Sequence, residues 1–321
     1  MAEKKSNQAQ RSVFDLDNPR VRAILPLIGL ILMLALFTAL THGDIIQPNN
    51  LKLLLSQTYM LMIASIGVFF VMTMGCLDFS QGSLMGLACI AVCAVSRTSV
   101  ILGILAGIAV GALIGAVNGW LHVYRQIPSF IVTMSTQYLF RGFVQFLTTK
   151  SPVMANMAIA RFNTMPVMMG MTLVSLLIAF IFFRYTAFGA NLKAIGASER
   201  GARFAGIKVT KTKFWVYVLA GAITGFAAFV NAIKVLSVTS TGGNQLETQI
   251  LIGLVLGGMP ISGGAKVRFS NIVIGVLMFR FLASGLVMVG LTTQMQQLIE
   301  GVVFVIMVTL FSDRKSLAVI K

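Results

Sequence analysis

Long apolar runs, separated by short polar segments, make up most of this chain. An α-helix needs about 20 apolar residues to cross about 30 Å of hydrocarbon, and most of the runs approach that length. The pattern therefore predicts an all-α integral membrane protein with about ten transmembrane segments. The run at 248–259 is too short to cross at full thickness, so eight or nine full spans remain an alternative. The ten runs lie at about residues 23–40, 53–74, 82–96, 100–121, 128–147, 167–183, 214–233, 248–259, 269–287 and 295–311.

Composition supports a membrane location for the whole chain. Of its 321 residues, 57% are apolar and 11% are charged, and the mean hydropathy is +0.90. Soluble domains are about 45–50% apolar and about 25% charged. Since a soluble domain of this size buries only about 75% of the surface that its unfolded chain exposes, this chain would leave too much apolar surface in water. A soluble enzyme, a secreted disulfide scaffold and a disordered chain are therefore excluded.

The positions of the basic residues predict the orientation of the chain, whose net charge is +16. If the N-terminus is cytoplasmic, the inner segments hold 18 Lys and Arg residues and the outer segments hold 5. Cytoplasmic loops of membrane proteins collect Lys and Arg, so both termini are predicted to be cytoplasmic, and the basic charge indicates no nucleic-acid partner. The predicted layout is a cytoplasmic tail at 1–22, a transmembrane domain at 23–311 with a cytoplasmic loop at 184–213, and a cytoplasmic tail at 312–321.

Small residues and an internal repeat predict how the helices pack. Five glycines recur every four residues in the run at 100–121, a spacing that lets helix backbones approach closely in lipid. Static close packing is the favoured interpretation, and a helix that slides against its neighbour is the alternative. The segments at 77–87 and 246–254 resemble each other weakly, which predicts two pseudo-repeated halves of the kind that transporters use. The glycines are Gly103, Gly107, Gly111, Gly115 and Gly119.

The sequence offers little that supports covalent chemistry. It holds nine acidic residues and two histidines, and it lacks the HExxH, GxSxG and GxxxxGK[ST] motifs. An enzyme is therefore disfavoured, and if ATP powers this protein a separate subunit must hydrolyse it. The three cysteines, Cys76, Cys89 and Cys93, lie in or beside apolar runs. Cys89 and Cys93 share a helical face without a His or carboxylate, so they are predicted to pack and no metal site is predicted.

Isolated polar side chains in or beside the apolar runs are the candidates for a polar path. Asp78 lies between two runs, and an ionisable group at mid-bilayer costs about 2.5–3.5 kcal/mol unless it is solvated or paired. It is either a group at the mouth of a pathway or the N-cap of the next helix, and Glu247 presents the same ambiguity. Arg141 and Arg280 fall inside apolar runs, where structural roles are favoured. Polar residues that can bond a hydroxylated solute or a neighbouring helix include Asn118, Thr133 and Asn231.

The loop at 184–213 is predicted to form a short amphipathic helix on the cytoplasmic face. Ser198 is a suitable N-cap, Glu199 complements the helix dipole in the first turn, and Gly206 suits the C′ position. Seven basic residues lie in the same loop. The helix is either an anchor at the lipid headgroups or a docking site for a cytoplasmic partner.

Several segments carry motifs that resemble those of a known family. Gly75–Ser83 is similar to G-x-x-D-L-S-V-G-S, and Ile127–Thr133 is similar to I-P-P-F-I-V-T. Ala194–Ile207 resembles a coupling segment, and Val255–Gly264 resembles the Gly-rich motif V-L-G-G-x-S-x-x-G-G. In order and at similar spacing, these motifs resemble the monosaccharide ABC importer permeases for ribose, xylose, arabinose and galactosides. Departures from the family pattern, which leave the particular solute open, are at Phe79, Gln81, Ser129, Met134 and 259–261.

The resemblance implies a function and a set of partners. The chain is expected to be the permease subunit of an ATP-binding-cassette importer in the cell inner membrane, translocating a small hydrophilic solute, a monosaccharide, by alternating access. Its expected partners are a cytoplasmic ATP-binding subunit, an extracytoplasmic solute-binding protein, membrane lipid, and a second permease subunit that is either an identical chain or a paralogue. ATP and Mg²⁺ are then used by the ATPase, and this chain is expected to bind no cofactor.

The alternative function is an ion- or proton-coupled secondary transporter, in which Asp78 and Glu247 are the coupling carboxylates.

Two sets of residues are predicted to serve the importer function. The substrate pathway is predicted at Asp78, Gln81, Ser83, Asn118, Thr133 and Glu247. The ATPase-coupling helix is predicted at Ser198, Glu199, Arg200, Ala202, Arg203, Ala205 and Gly206.

Overall fold

The computed structural model describes residues 19–311, with side chains from residue 24 onward, and most of this part is helical. The tail predicted at 312–321, and residues 1–18 of the tail predicted at 1–22, lie outside the described residues. The connections contain 3₁₀ helices at Asp44–Ile46 and Met157–Phe162 and two short strands, β1 (Val153–Met154) and β2 (Ser237–Val238). The α-helices of the described part are α1 (Pro19–Leu40), α2 (Pro48–Thr73), α3 (Gln81–Ser96), α4 (Val100–Val123), α5 (Ser129–Thr148), α6 (Met165–Tyr185), α7 (Ala187–Ala197), α8 (Glu199–Phe204), α9 (Val209–Val235), α10 (Leu246–Leu256), α11 (Ser270–Met288) and α12 (Thr293–Phe311).

Every apolar run predicted from the sequence coincides with one helix. Within residues 19–311, six helices are long and apolar enough to cross a membrane, namely α2, α4, α6, α9, α11 and α12. Shorter apolar helices are α3, α10 and the stretch Ile24–Leu40 of α1. Helix α5 has 20 residues but is more polar. The prediction of a mostly helical membrane protein is confirmed, and the run at 248–259 is the 11-residue helix α10.

Direct contact between the backbones of α4 and α9 forms the centre of the fold. A Cβ atom on Gly111 would collide with the carbonyl oxygen of Gly221, and one on Gly221 would collide with that of Gly111. Gly107 and Gly225 form the same reciprocal contact one turn away. These four glycines, the glycine seam, give the close packing that the four-residue spacing predicted. Because lipid tails are as apolar as the helices, such packing is a main source of helix association in membranes.

Helices α3 and α10 both start within the core, because the chain before each is not helical. Residues 74–80 link α2 to α3 and turn at Gly75, whose φ of +76° favours glycine. Residues 239–245 link β2 to α10. The two helix starts meet, since a Cβ atom on Gly82 would collide with the Gly243 carbonyl and the Glu247 carboxylate. Non-helical backbone at membrane depth is tolerated only where protein buries it or where it lines a cavity.

The two ends of the bundle carry different connections. At one end, which we call the α8 end, the Gly264 N–H donates to the Thr73 carbonyl at 3.0 Å, and Gly196 of α7 packs against the same carbonyl. This end thus joins the last turn of α2, the loop after α10, and α7 with α8. At the other end, the β end, β1 and β2 pair antiparallel with Val153 opposite Val238. That pairing joins the connections that follow α5 and α9.

Valine at Gly111 is expected to destabilise the fold, because its side chain would push α4 away from the Gly221 carbonyl. Overpacking of this kind typically costs about 1–3 kcal/mol. The matched control is Gly170→Val in α6, where a Cβ atom meets nothing within 4 Å. Thermal unfolding of the purified variants in detergent checks the prediction. Gly111→Val should melt below the wild type and Gly170→Val close to it, whereas equal melting temperatures would contradict the role of the glycine seam.

Candidate functional site

Asp78 lies buried just before the first turn of α3. One of its carboxylate oxygens, Oδ1, accepts hydrogen bonds from the Ser80 backbone N–H at 2.9 Å and from Ser80 Oγ at 2.6 Å. The other, Oδ2, accepts from Gln81 Nε2 at 2.6 Å. An aspartate that bonds its own backbone two residues on forms an Asx turn. The carboxylate, 1% exposed, therefore shapes the entry to α3, although Ser80 and not Asp78 occupies the N-cap position of that helix.

The bonds around Asp78 extend to two other helices. Asn118 of α4 donates from Nδ2 to Ser80 Oγ at 2.7 Å, and Thr224 of α9 donates from Oγ1 to Gln81 Oε1. We call Asp78, Ser80, Gln81, Asn118 and Thr224 the α3 network. It lies beside the glycine seam, since Asn118 and Thr224 belong to the same two helices. The α3 network thus fixes the start of α3 against the central helix pair.

Two further predicted pathway residues lie close to the α3 network. Ser83 donates to the Ser80 carbonyl at 2.9 Å, within its own helical turn. Thr133 of α5 is buried and donates to the Ser129 carbonyl at 2.9 Å. Ser129 Oγ in turn accepts from the Leu77 backbone N–H at 3.3 Å, so the start of α5 is bonded to the segment that contains Asp78. In this conformation Ser83 and Thr133 are satisfied by backbone carbonyls of their own helices.

Glu247, the remaining predicted pathway residue, belongs to a different cluster. Its Oε1 accepts from Gln137 Nε2 at 2.7 Å, and its Oε2 lies 4.0 Å from Arg141 Nη2. Arg141 also donates to the carbonyls of Gly242 and Gly243, at 2.8 and 3.2 Å. Gln137, Arg141 and Glu247 form the α5–α10 cluster. Arg141 therefore bonds two backbone carbonyls and pairs with an acid in this structure.

The predicted pathway residues thus fall into two groups, and the starts of α3 and α10 meet at Gly82 and Glu247. Asp78, Gln81, Ser83 and Asn118 lie together, with Thr133 at the edge, whereas Glu247 faces α5. Sequence reasoning missed Thr224, a hydroxyl between two glycines of an apolar run, as the partner of Gln81. Within residues 24–311, three or more metal-ligating acids, histidines or cysteines do not come together. The arrangement binds and positions polar groups, and its side chains are buried in this conformation.

The predicted short helix in the loop at 184–213 is present as α8. Ser198 accepts from the Gly201 backbone N–H at 3.1 Å as its N-cap, and Gly206 follows the helix with a φ of +81°. Ala202 is buried and Phe204 is 93% exposed. The exposed residues of the segment 198–206 are Ser198, Arg200, Gly201, Arg203, Phe204, Ala205 and Gly206.

Glu199 ties α8 to the base of α9. Its carboxylate accepts from Arg203 Nη2 at 2.8 Å within α8 and from Lys213 Nζ at 2.6 Å in the first turns of α9. Partial burial alone would raise the pKa of Glu199, but the hydrogen bonds and positive charges of Lys213 and Arg203 outweigh it and hold the pKa below its ordinary value. Glu199 is therefore ionised at neutral pH, so the bridge between the two helices is an ion pair.

Helices that start inside a membrane bundle, beside buried polar clusters, are typical of transport pathways. Residues 50–308 match the family described as the permease component of branched-chain amino acid transport systems. Because that match covers most of the sequence, the chain belongs to this permease family.

Individual relatives match along nearly the whole chain. The ribose import permease protein RbsC of Bacillus subtilis is 32% identical over 303 residues, covering 91% of this chain and 93% of that protein. The xylose transport system permease protein XylH of Haemophilus influenzae is 25% identical, covering 94% and 99%. The L-arabinose ABC transporter permease protein AraH of Azospirillum brasilense is 27% identical, covering 87% and 84%. No solved structure matches the chain. The resemblance to sugar importer permeases is confirmed, and the chain is a membrane permease.

Replacing Thr224 by valine is expected to weaken the fold, because Gln81 Oε1 would lose its donor from α9 while staying buried. Hydrogen bonds between membrane helices average about 0.6 kcal/mol and reach about 1.7 kcal/mol, so we expect a loss of about 1 kcal/mol. The matched control is Thr172→Val, since the Thr172 hydroxyl bonds only the Met168 carbonyl of its own helix α6. Unfolding in detergent with increasing denaturant measures both variants. Equal effects would contradict the interhelical role of Thr224.

Proposed function

We propose that this chain is the permease subunit of an ATP-binding-cassette importer in the cell inner membrane and that it carries a monosaccharide. The observation that supports this most is the near full-length match to permeases named for ribose, xylose and arabinose. The same relatives favour the importer over an ion- or proton-coupled transporter. A solute-binding protein delivers the sugar, and a separate ATPase that holds ATP and Mg²⁺ powers its movement.

We propose a topology of ten membrane segments with both termini cytoplasmic. The segments are α1 to α6 and α9 to α12, of which α3 and α10 are the two broken helices, and the tails at 1–22 and 312–321 flank the domain. The α8 end is cytoplasmic and the β end is extracytoplasmic. The segments that this orientation places in the cytoplasm lie together at one end of the fold, which supports it. There α7, α8 and the loop after α10 meet the last turn of α2.

The solute pathway is proposed to open where α3 and α10 begin. Transporters use discontinuous helices whose starts face the solute near the midplane. Asp78, Gln81, Ser83, Asn118, Thr133 and Glu247 are the side chains proposed to meet the sugar when these starts separate. In the conformation described here these six side chains lie buried and bond to other groups of the chain. Alternating access then requires that bonds such as Gln81–Thr224 exchange for bonds to solute hydroxyls.

A second permease subunit is proposed to cover the outward face of α5. Ser135, Tyr138, Gly142 and Gln145 share one face of this helix, and all four are exposed. The Tyr138 side chain alone is 71% exposed. Lipid tails are poor partners for hydroxyl and amide groups, whereas small and polar residues are typical of helix–helix contacts in membranes. An identical chain or a paralogue fits this face equally well.

The ATPase is proposed to dock on the segment at 198–206 and to drive α9 through it. Phe204 presents an aromatic ring to the outside of α8, with Arg200 and Arg203 beside it. The Glu199–Lys213 ion pair connects α8 to the first turns of α9. Farther along α9, Thr224 bonds Gln81 at the start of α3. A continuous chain of contacts therefore runs from the docking surface to the proposed pathway.

Replacing Phe204 by alanine is expected to weaken ATPase binding. Exposed aromatic anchors contribute about 2 kcal/mol or more to protein interfaces, which corresponds to a loss of about 30-fold in affinity. The matched control is Phe146→Ala, which removes another largely exposed ring (77%) at the β end of α5. The measurement is recovery of an ATPase with a Walker A motif when the tagged chain is purified from its native membrane in mild detergent. If Phe204→Ala recovers as much ATPase as Phe146→Ala, the segment is a lipid anchor instead.

A further inference from the structure

A polar pocket lies in the half of the bundle nearer the β end, apart from the α3 network. Its volume is about 290 Å³, and it is bounded by α2, α10, α11 and α12. We call it the outer polar pocket. Its polar lining includes Asn50, Gln57, Gln249, Arg280, Gln297 and Glu300. Such a concentration of amides and charges is unusual in a membrane bundle, where ionisable side chains mark solute paths by default.

The charged residues of the outer polar pocket lie well inside the helices that carry them. Arg280 precedes the end of α11 at Met288 by eight residues, and Glu300 follows the start of α12 at Thr293 by seven. At 1.5 Å per residue these positions are about 10–12 Å from the helix ends. An ionisable group at that depth requires water, a partner or a polar solute.

Arg280 makes one long hydrogen bond within the described part of the chain and leaves one buried nitrogen unpaired. Among the described residues its Nε is buried and has no hydrogen-bond partner, and its Nη2 reaches Gln249 Oε1 only at 3.5 Å. The ion pairs of residues 24–311 do not include one between Arg280 and Glu300, although both line the pocket. Arg141 shows the contrast, since it donates to two carbonyls and pairs with Glu247. A buried donor of this kind requires a partner from outside the chain.

The lining of the outer polar pocket selects a neutral solute. One guanidinium and one carboxylate leave it without net charge, which disfavours a phosphate headgroup and a cation alike. The amides of Asn50, Gln57 and Gln249 supply donors and acceptors together. Hydroxyl groups donate and accept in the same way, and a site built to bond them discriminates strongly against solutes that lack them.

We propose that the outer polar pocket binds one monosaccharide before it reaches the α3 network. This inference rests on the proposed function and adds a second site to it. Gln249 lies in α10 two residues after Glu247, so opposite sides of the same helix face the pocket and the α5–α10 cluster. A solute that leaves the pocket therefore passes the start of α10 to reach the start of α3.

Cysteine protection tests the inference in proteoliposomes that contain the permease with its ATPase. Gln297→Cys, and independently Thr293→Cys, place a thiol in the outer polar pocket for labelling by a membrane-impermeant methanethiosulfonate. The probes are ribose, xylose and arabinose. At about ten times its dissociation constant, a bound sugar should slow labelling about tenfold. The matched control is Gln294→Cys, an exposed position of α12 outside the pocket, whose labelling should not change.

A second variant separates a binding role from a structural one. Glu300→Gln, added to the cysteine variants, removes a charged acceptor for the sugar hydroxyls. The sugar concentration that halves the labelling rate should therefore rise about tenfold. Unchanged labelling with all three sugars, a thiol that cannot be labelled, or protection by anionic lipid but not by sugar would each overturn the inference. ATP-driven uptake by the wild type, measured in the same vesicles with the solute-binding protein added, reports on the proposed function separately.

Discussion

The contact between the α4 and α9 backbones determines where the polar groups of this protein lie. Gly111 and Gly221 leave no space for a side chain between the two helices. Only at this short distance can Asn118 from α4 and Thr224 from α9 both reach the first residues of α3. In lipid, where apolar burial gives little drive for helices to associate, backbone packing and hydrogen bonds between helices must hold them together. The glycine seam supplies the first and the α3 network the second.

Polar contacts along α9 join the cytoplasmic surface proposed here to the core. Glu199 and Lys213 form an ion pair at the base of α9, and Thr224 bonds Gln81 farther along the same helix. Because α9 is a single helix over Val209–Val235, a displacement at its base moves the partner of Gln81 as well. A rigid helix with one polar bond near its base and another at its middle is a simple means of relating partner binding to the opening of α3.

Local patterns in the sequence predicted much of this structure. Apolar runs, the four-residue glycine spacing and the Ser198 cap each depend on neighbouring residues, so the helices, the close face of α4 and the helix α8 were all predictable. Partners far apart in sequence were not. Gln81 and Thr224 are 143 residues apart, and a lone hydroxyl in an apolar run does not indicate which helix it meets. Arg141 and Arg280 look alike in sequence, yet one donates to two backbone carbonyls and the other lines a pocket.

We propose that this chain forms the pathway of an ATP-driven importer. The most direct test is uptake of labelled ribose, xylose and arabinose into proteoliposomes that hold the permease, its ATPase and the solute-binding protein. The vesicles are energised either by ATP on the α8 side alone or by an ion gradient alone. An ATP-driven importer accumulates sugar with ATP, an uncoupler does not reduce this accumulation, and the gradient alone produces none. Accumulation with the gradient alone, abolished by the uncoupler while ATP is maintained, would contradict the proposal.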